Sequence, residues 1–168
     1  SCLVGSEMCI RDRPNLDRIA KEGAHLANAF VTTSLCSPSR ASILTGQYMR
    51  HHRVVDNQRP VPEGTMFFPE YLQDAGYTTG YVGKWHMGHE DDTPRKGFDQ
   101  WVSFAGQGTY FDPTFNINGK RKSFKGYNAD LLTDQAISWL KKVGPSSKKK
   151  KPFLLQVWYK AEHYPYKP

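Results

Sequence analysis

The clearest hydrophobic pattern of the chain lies in NADLLTDQAISWLKKVG, residues 128–144. Its apolar residues recur at three- and four-residue intervals, which places them on one face of a helix, and two lysines stand near its end. The positions on this face are Leu132, Ala136, Trp139, Leu140 and Val143. A second pattern follows in PFLLQVWY, residues 152–159, whose nearly continuous apolar run is typical of a strand buried on both faces.

Glycine and proline residues delimit the other predicted elements. Pro14 stands near the start of a short helical pattern and Gly23 ends it, while Pro38 and Gly46 bracket a second helix that Ser37 can cap. The prediction comprises helices over 14–23, 37–46, 67–76 and 128–144, strands within 77–86 and 152–159, an extended segment over 24–33, and mostly irregular structure over 88–125.

The alternation of strands and helices predicts the fold class. Such an order is typical of an α/β sandwich in which helices flank a largely parallel sheet. Ligands of these sheets lie beyond the carboxyl ends of the strands. GKWH, residues 83–86, follows one predicted strand, and KAEH, residues 160–163, follows another. We therefore expect two basic loops to converge on one edge of the sheet.

The composition of the chain favours some classes of binding partner but does not identify one. The 168 residues suffice for one domain with a hydrophobic core, and the net charge of +7 favours an anionic partner such as nucleic acid, an acidic membrane or a phosphate- or sulfate-bearing substrate. Part of the excess lies in the lysine run 148–151, which reads as a solvated loop. The three cysteines form neither a disulfide framework nor a zinc pattern, and no window has the length and apolarity of a membrane span.

Cys36 is the residue whose surroundings most need an explanation. It is predicted just ahead of a helix N-terminus, where negative charge is favoured, and Arg40 lies one helical turn further on. A reactive thiolate, a metal ligand and an ordinary packed cysteine all remain open from these residues alone. The whole stretch CSPSRASILTG, residues 36–46, however, fits Cys-x-Pro-Ser-Arg-x-x-x-Leu-Thr-Gly at all seven specified positions.

That pattern resembles the signature of the type I sulfatases, in the alkaline phosphatase-like superfamily. GYTTGYVGKWHMG, residues 76–88, resembles the second family signature, and PFLLQVWYKAEHYPYKP, residues 152–168, resembles the family's strand followed by a histidine. GFDQW and GYNADLLTDQAI give a weaker likeness to carbohydrate sulfatases of the N-acetylglucosamine-6-sulfatase kind. The resemblance implies an alkaline phosphatase-like sandwich, incomplete at both ends, and cleavage of sulfate from a sulfated carbohydrate.

The resemblance also implies a role for each of five residues. Cys36 would be oxidised by a formylglycine-generating or anaerobic maturating enzyme to formylglycine, whose hydrate is the nucleophile. Arg40 would stabilise that hydrate, and Lys84 would donate to it and to the sulfate ester. His86 would be the general base, and His163 would bind the sulfate and protonate the leaving oxygen. We expect His51, His52 and His89 to be surface or substrate-periphery residues.

The family's calcium site is only partly accounted for by this sequence. By resemblance the modified Cys36 is one ligand, but the Asp-Asp pair that follows the family's first strand has no counterpart before Pro14. Calcium takes six to eight oxygen ligands. We therefore expect residues 1–13 to be a non-native or unassigned segment, residues 14–168 to be part of a sulfatase catalytic domain, and this chain to be a fragment with weak calcium binding and little turnover.

Two other classes of function stay open as alternatives. A phosphonate or phosphodiester hydrolase of the same superfamily would use the same aldehyde on phosphorus. A non-catalytic polyanion-binding module would suit the net charge, but the basic residues are dispersed and no motif for reading DNA or RNA is present, so nucleic acid is not an expected partner. The family likeness implies a periplasmic or secreted protein, although residues 1–13 do not read as a signal peptide.

Overall fold

The computed structural model describes residues 13–144 and 151–165, which form two units, one up to Val31 and one from Thr32 onward. In the first unit, helix α1 begins at Pro14 and ends where the N–H of Gly23 donates to the carbonyl of Ile19, as predicted. The elements in chain order are α1 Pro14–Glu22, α2 Cys36–Thr45, α3 Met49–His52, α4 Phe68–Asp74, β1 Thr78–Lys84, β2 Gln100–Phe104, β3 Thr114–Ile117, β4 Lys120–Ser123, α5 Asn128–Val143 and β5 Phe153–Trp158.

A five-stranded sheet organises the second unit, in the order β4-β3-β2-β1-β5. Strand β1 is parallel to both of its neighbours, β2 and β5, whereas β3 is antiparallel to β2 and to β4. The α/β class is confirmed, and the parallel strands form one side of a mixed sheet. Because β1 and its two neighbours run in the same direction, their carboxyl ends meet at one edge.

Helices cover both faces of the sheet, as the sandwich prediction requires. Tyr81 and Val82 are consecutive in β1 and enter different cores. Tyr81 shares its core with Leu44 of α2 and contacts the rings of Trp85 and Trp101, while Val82 lies in the core that contains Leu132 of α5. The predicted face of α5 is confirmed in that Leu132, Ala136 and Trp139 are buried.

Two of the predictions about strands are wrong. Residues 88–125 contain β2, β3 and β4 instead of mostly irregular structure. The hydrophobic pattern of the sequence does not predict strand β4, because its four residues, KRKS, are all exposed. Strand β5 is a half-buried edge strand within the described residues rather than one buried on both faces. The hairpin between β3 and β4 turns at Asn118 and Gly119, which both have positive φ, as a two-residue turn requires.

Helix α2 brings the cysteine motif into the core. Leu35 precedes its first turn, so Cys36 is the first residue of the helix rather than the residue ahead of it. The prediction that Ser37 caps the helix is wrong, because its hydroxyl donates to the backbone carbonyl of His86 instead. Gly46 ends the helix in the left-handed conformation, with φ of 68°, as predicted. None of the helices in residues 13–144 and 151–165 is long and apolar enough to span a bilayer.

Candidate active site

The candidate site lies where the carboxyl ends of the parallel strands meet. Lys84 is the last residue of β1, and Lys160 and His163 follow the end of β5. Gln107 lies in the loop after β2. The N-terminus of α2 points Cys36 at the same edge, where its Sγ is 3.7 Å from the Nζ of Lys84. Position 36 and the GKWH loop are therefore in direct contact.

Cys36 presents a half-buried free thiol at the start of α2. The next backbone N–H, that of Ser37, donates to Oδ1 of Asn57 at 3.0 Å, which satisfies one of the donors that the first turn of a helix leaves open. The buried side chain of Ser37 ties this turn to the carbonyl of His86. The first turn of α2 is thus held against the loop that follows β1.

Arg40 is fixed beneath Lys84 by contacts on two sides. Its guanidinium donates to the backbone carbonyl of Lys84, and it lies 4.6 Å from the ring centroid of Trp158. The hydroxyl of Tyr81 donates to the same carbonyl. Burial lowers the pKa of Arg40, opposed by its contacts with Tyr81 and Cys36, but an arginine remains charged under all ordinary conditions. Arg40 therefore supplies a fixed positive charge close to position 36.

Lys84 is the most constrained cation of the site. Its side chain is 2% exposed, and its ammonium donates both to Cys36 and to Oε1 of Gln107. Burial lowers its pKa to about 8, and the charges of Arg40 and Lys160 act in the same direction, while Cys36 opposes them. The group is therefore still mainly protonated at neutral pH and can donate to an anion.

His86 has a buried imidazole ring. Its backbone φ is 51°, a conformation that residues other than glycine seldom adopt. Burial lowers its pKa to about 4, aided by the charges of Lys84, Arg40 and His163. Its Nδ1 atom is buried without a hydrogen-bond partner among the described residues. At neutral pH this ring is uncharged and has a nitrogen available to accept or donate a proton.

Hydrogen bonds between its backbone and Tyr110 hold His163 in position. The hydroxyl of Tyr110 donates to the carbonyl of His163 at 2.6 Å and accepts from its N–H at 3.0 Å. The Nδ1 atom lies 2.6 Å from the carbonyl of Tyr164, so Nδ1 carries the hydrogen and Nε2 is left as an acceptor. The ring is half-buried, and His163 follows β5 at the edge of the sheet where His86 follows the parallel strand β1.

Sequence reasoning missed four residues that shape this site: Asn57, Gln107, Tyr110 and Lys160. None of them belongs to a motif that carries chemistry by itself, although Lys160 stands within the quoted KAEH stretch. The expectation that His52 is a surface residue is wrong. It is 3% exposed, with Nε2 3.0 Å from the Ser42 hydroxyl and Nδ1 accepting the N–H of Val54, so it is a structural residue.

The described residues do not by themselves fit a calcium ion. No group of three His, Cys, Asp or Glu side chains in residues 13–144 and 151–165 is arranged to hold a metal. The side chains in contact with Cys36 and Lys84 are cationic or neutral, whereas calcium takes carboxylate and carbonyl oxygens. The ligand role of Cys36 stays a prediction from the resemblance.

Known proteins that are similar in sequence to this chain are sulfatases. Residues 7–168 match the family model described as Sulfatase. The N-acetylglucosamine-6-O-sulfatase of Bacteroides thetaiotaomicron is 40% identical over 97% of this chain and 28% of that protein. The extracellular sulfatase SULF-1 homolog of Drosophila melanogaster is 30% identical over 90% of this chain and 15% of that protein.

A solved structure extends the likeness to the fold. The structure of BT4656 in complex with its substrate D-glucosamine-2-N,6-O-disulfate superposes with a TM-score of 0.83 at 39% identity, over 92% of this chain and 30% of that one. This match confirms the predicted alkaline phosphatase-like fold class. The chain spans less than a third of the length of these three proteins. On the family model and these relatives, the chain belongs to the sulfatase family.

Proposed function

We propose that a full-length protein, meaning one of the relatives' length that contains these residues, hydrolyses a sulfate ester of a sulfated carbohydrate. The observation that carries this proposal is the contact between Cys36 and Lys84, at 3.7 Å, with Arg40 bound to the backbone of Lys84. Two cations at the start of a helix favour an anionic group at position 36. The relatives named for sugar sulfates support a 6-O-sulfated hexosamine as the substrate class.

Position 36 would carry the nucleophile after conversion of its thiol to formylglycine by a maturating enzyme. As a hydrated aldehyde this residue supplies one hydroxyl to attack sulfur and a second hydroxyl whose deprotonation lets the sulfate leave. The thiol of Cys36 is half-buried rather than sealed in the core, which is compatible with both modification and access by substrate.

The cations would bind and orient the sulfate. Lys84, with its pKa near 8, donates from its ammonium to a sulfate oxygen, and Gln107 restricts where that ammonium can point. Arg40 cannot move freely, because it is bound to the carbonyl of Lys84 and stacked on Trp158. Its fixed charge stabilises negative charge that develops at position 36 without a cost of reorganisation.

The histidines would move protons at opposite ends of the reaction. His86, whose pKa is lowered to about 4, is neutral at working pH and would accept the proton of the second hydroxyl. His163, whose Nε2 is not engaged by the contact that Nδ1 makes with Tyr164, would bind the sulfate and donate to the leaving oxygen when protonated. These roles assign one base and one acid to two differently placed imidazoles.

The cellular location that we propose follows from the similarity to the same relatives. A relative named as an extracellular sulfatase supports a location outside the cytoplasm, periplasmic or secreted. The net charge of +7 suits a sulfated glycan. For the 168-residue chain by itself we propose weak calcium binding and little turnover, since no metal-binding group of acidic side chains is found among its described residues.

The decisive experiment combines a mass measurement with an assay. The full-length protein is expressed with a formylglycine-generating enzyme, and the tryptic peptide of residues 22–40 is weighed. We expect the mass loss of a thiol-to-aldehyde conversion, and release of sulfate from an aryl sulfate and a sugar sulfate. The Cys36→Ala variant, as the matched control, should show neither.

Three outcomes would contradict the proposal. An unmodified thiol in a fully active enzyme would remove the proposed nucleophile. Faster cleavage of an aryl phosphonate or phosphodiester than of the aryl sulfate would favour the phosphorus-directed alternative. Salt-dependent DNA binding that exceeds binding to a sulfated glycan would favour the polyanion-binding module. Measurable turnover by the isolated 168-residue chain would contradict only the proposal made for that chain.

A further inference from the structure

Lys160 is a buried cation to which the described residues supply no charged partner. Its side chain follows β5 and is 5% exposed, and its Nζ lies 4.5 Å from the ring centroid of Tyr110. No carboxylate among the described residues lies within ion-pair distance of it, and its ammonium donates no hydrogen bond to a described group. Burying an ammonium is costly unless an anion or several acceptors compensate it. Tyr110 by itself offers only the face of a ring.

The same lysine lines a cavity of about 330 Å³. That volume is in the range of sites for small ligands, and the lining combines two aromatic rings with one cation and no acidic side chain. The residues that line it are Gly108, Thr109, Tyr110, Phe111, Lys160 and Pro165. The cavity therefore has the chemical character of a site for an anionic group on a ligand with an apolar or sugar-like body.

The cavity adjoins the site built around Cys36. Gly108, in its lining, directly follows Gln107, whose side chain accepts a hydrogen bond from Lys84. Lys160 follows β5 at the edge where Lys84 ends the neighbouring parallel strand β1, and its charge is among those that lower the pKa of Lys84. Tyr110 connects the cavity to His163 through two hydrogen bonds. One ligand could thus contact both places at once.

We propose that Lys160 binds a second anionic group, a sulfate or a carboxylate, on the same glycan whose sulfate ester is held beside Cys36. This inference rests on the proposed sulfatase function and adds to it that the substrate carries at least two acidic groups. Lys84 and Arg40, the cations beside Cys36, would compensate the charge of one sulfate ester held there. A substrate with a single negative charge would leave the buried ammonium of Lys160 without an anion.

The test compares 6-O-sulfated glucosamine derivatives with and without a second anionic group, in the full-length protein with residue 36 matured. The probes are 6-O-sulfated N-acetylglucosamine, N,6-O-disulfated glucosamine, and the 6-O-sulfated N-acetylglucosamine linked to a uronate. For the wild-type protein we expect kcat/KM to be about 10- to 100-fold higher for a probe with a second anion, since a charge-assisted hydrogen bond contributes that much. A preference for the disulfate identifies a sulfate subsite, and a preference for the uronate identifies a carboxylate subsite.

Two variants show whether Lys160 is the cause of that preference. Lys160→Met keeps the length of the side chain but removes its charge, and it should abolish the preference mainly through a higher KM for the doubly charged probe. Lys122→Met is the matched control, because Lys122 also lies over an aromatic ring, at 5.2 Å from the centroid of Phe124, but on the exposed strand β4. It should leave the preference unchanged. If melting curves show that Lys160→Met does not fold, Lys160→Gln is measured in its place.

The inference is overturned if the wild-type protein does not distinguish the probes, or if loss of the Lys160 charge lowers kcat/KM equally for all three. Failure of the sulfatase proposal can be distinguished from failure of this inference, because ligand binding is also measured in a protein that cannot turn over its substrate. Calorimetric titration of the Cys36→Ala protein with each probe should show the same dependence on Lys160. Charge-dependent binding with no hydrolysis by the wild-type protein would refute the sulfatase proposal and leave the subsite standing, whereas hydrolysis without charge-dependent binding would do the reverse.

Discussion

Gly83 is the position where a single added methyl group should disturb the site most through the backbone. It precedes Lys84 in β1, pairs with Trp158 of β5, and has a φ of 128°. A Cβ atom at this residue would lie 2.0 Å from the carbonyl oxygen of Trp158 and 2.6 Å from its carbonyl carbon. Both contacts are with backbone, which cannot rotate away as a flexible side chain would. Gly83→Ala therefore requires β1 and β5 to separate.

The expected loss of stability has two parts. A non-glycine residue with positive φ costs about 1–2 kcal/mol. Forcing a methyl group into occupied space costs a further 1–3 kcal/mol or so, and here the overlap with the Trp158 carbonyl is at the severe end of that range. We expect Gly83→Ala to lower the free energy of unfolding by about 3–5 kcal/mol, a large fraction of the roughly 5–15 kcal/mol that a domain has. The displacement of Lys84 should also lower kcat/KM.

The control separates strain in φ from the steric clash. Gly76 has a φ of 88°, and a Cβ added to it would meet nothing within 4 Å. Gly76→Ala should therefore lose only the first part, about 1–2 kcal/mol. Urea unfolding of both full-length variants, followed by tryptophan fluorescence, measures the difference. Equal losses in the two variants, or an unchanged midpoint for Gly83→Ala, would refute the argument that β5 approaches this glycine too closely for a side chain.

Two further predictions concern the histidines. Tyr110→Phe removes both hydrogen bonds to the backbone of His163, so we expect it to lower stability by about 1–3 kcal/mol and kcat on the order of tenfold, whereas Tyr48→Phe, at a residue 61% exposed, should change neither in thermal unfolding and aryl sulfate assays; an unaffected kcat in Tyr110→Phe would contradict the positioning role. Because burial lowers the pKa of His86 from 6.5 to about 4, the unfolded chain takes up a proton at higher pH than the folded one, and stability should fall by up to roughly 3 kcal/mol as the pH drops through that interval. His86→Asn, which tolerates positive φ, should flatten this pH dependence in urea titrations, and an unaltered slope would show that His86 is not its source.

The parts of the fold that could be predicted are those in which local pattern and packing agree. Helix α5 buries the face that its apolar spacing indicates, and the glycines after α1 and α2 end those helices as expected. Strand β1 could be predicted because a segment rich in β-branched and aromatic residues, TTGYV, follows the glycine that ends the preceding helix. The antiparallel strands could not, since β4 has no buried residue and depends on pairing with β3 for its conformation.

The candidate site also contains residues that could be predicted from the sequence and residues that could not. The resemblance to two family signatures predicted that Cys36, Arg40, Lys84 and His86 act together, and the structure brings them to one edge of the sheet. Gln107 could not be predicted, because its importance comes only from the distance to Lys84 in the folded chain. Long-range contacts of this kind leave no spacing pattern in the sequence.

The cysteine motif has a structural task besides the chemistry that we propose for it. Ser37 and Arg40 do not point at solvent or at one another but donate to the carbonyls of His86 and Lys84, the two residues that flank Trp85. Trp85 is fully buried, so the loop after β1 is pinned at its centre by packing and on both sides by hydrogen bonds from α2. Any change that moves α2 must therefore also move the lysine and the histidine. The side chains of Ser37 and Arg40 thereby fix the distance between position 36 and the lysine and histidine that we propose to act on it.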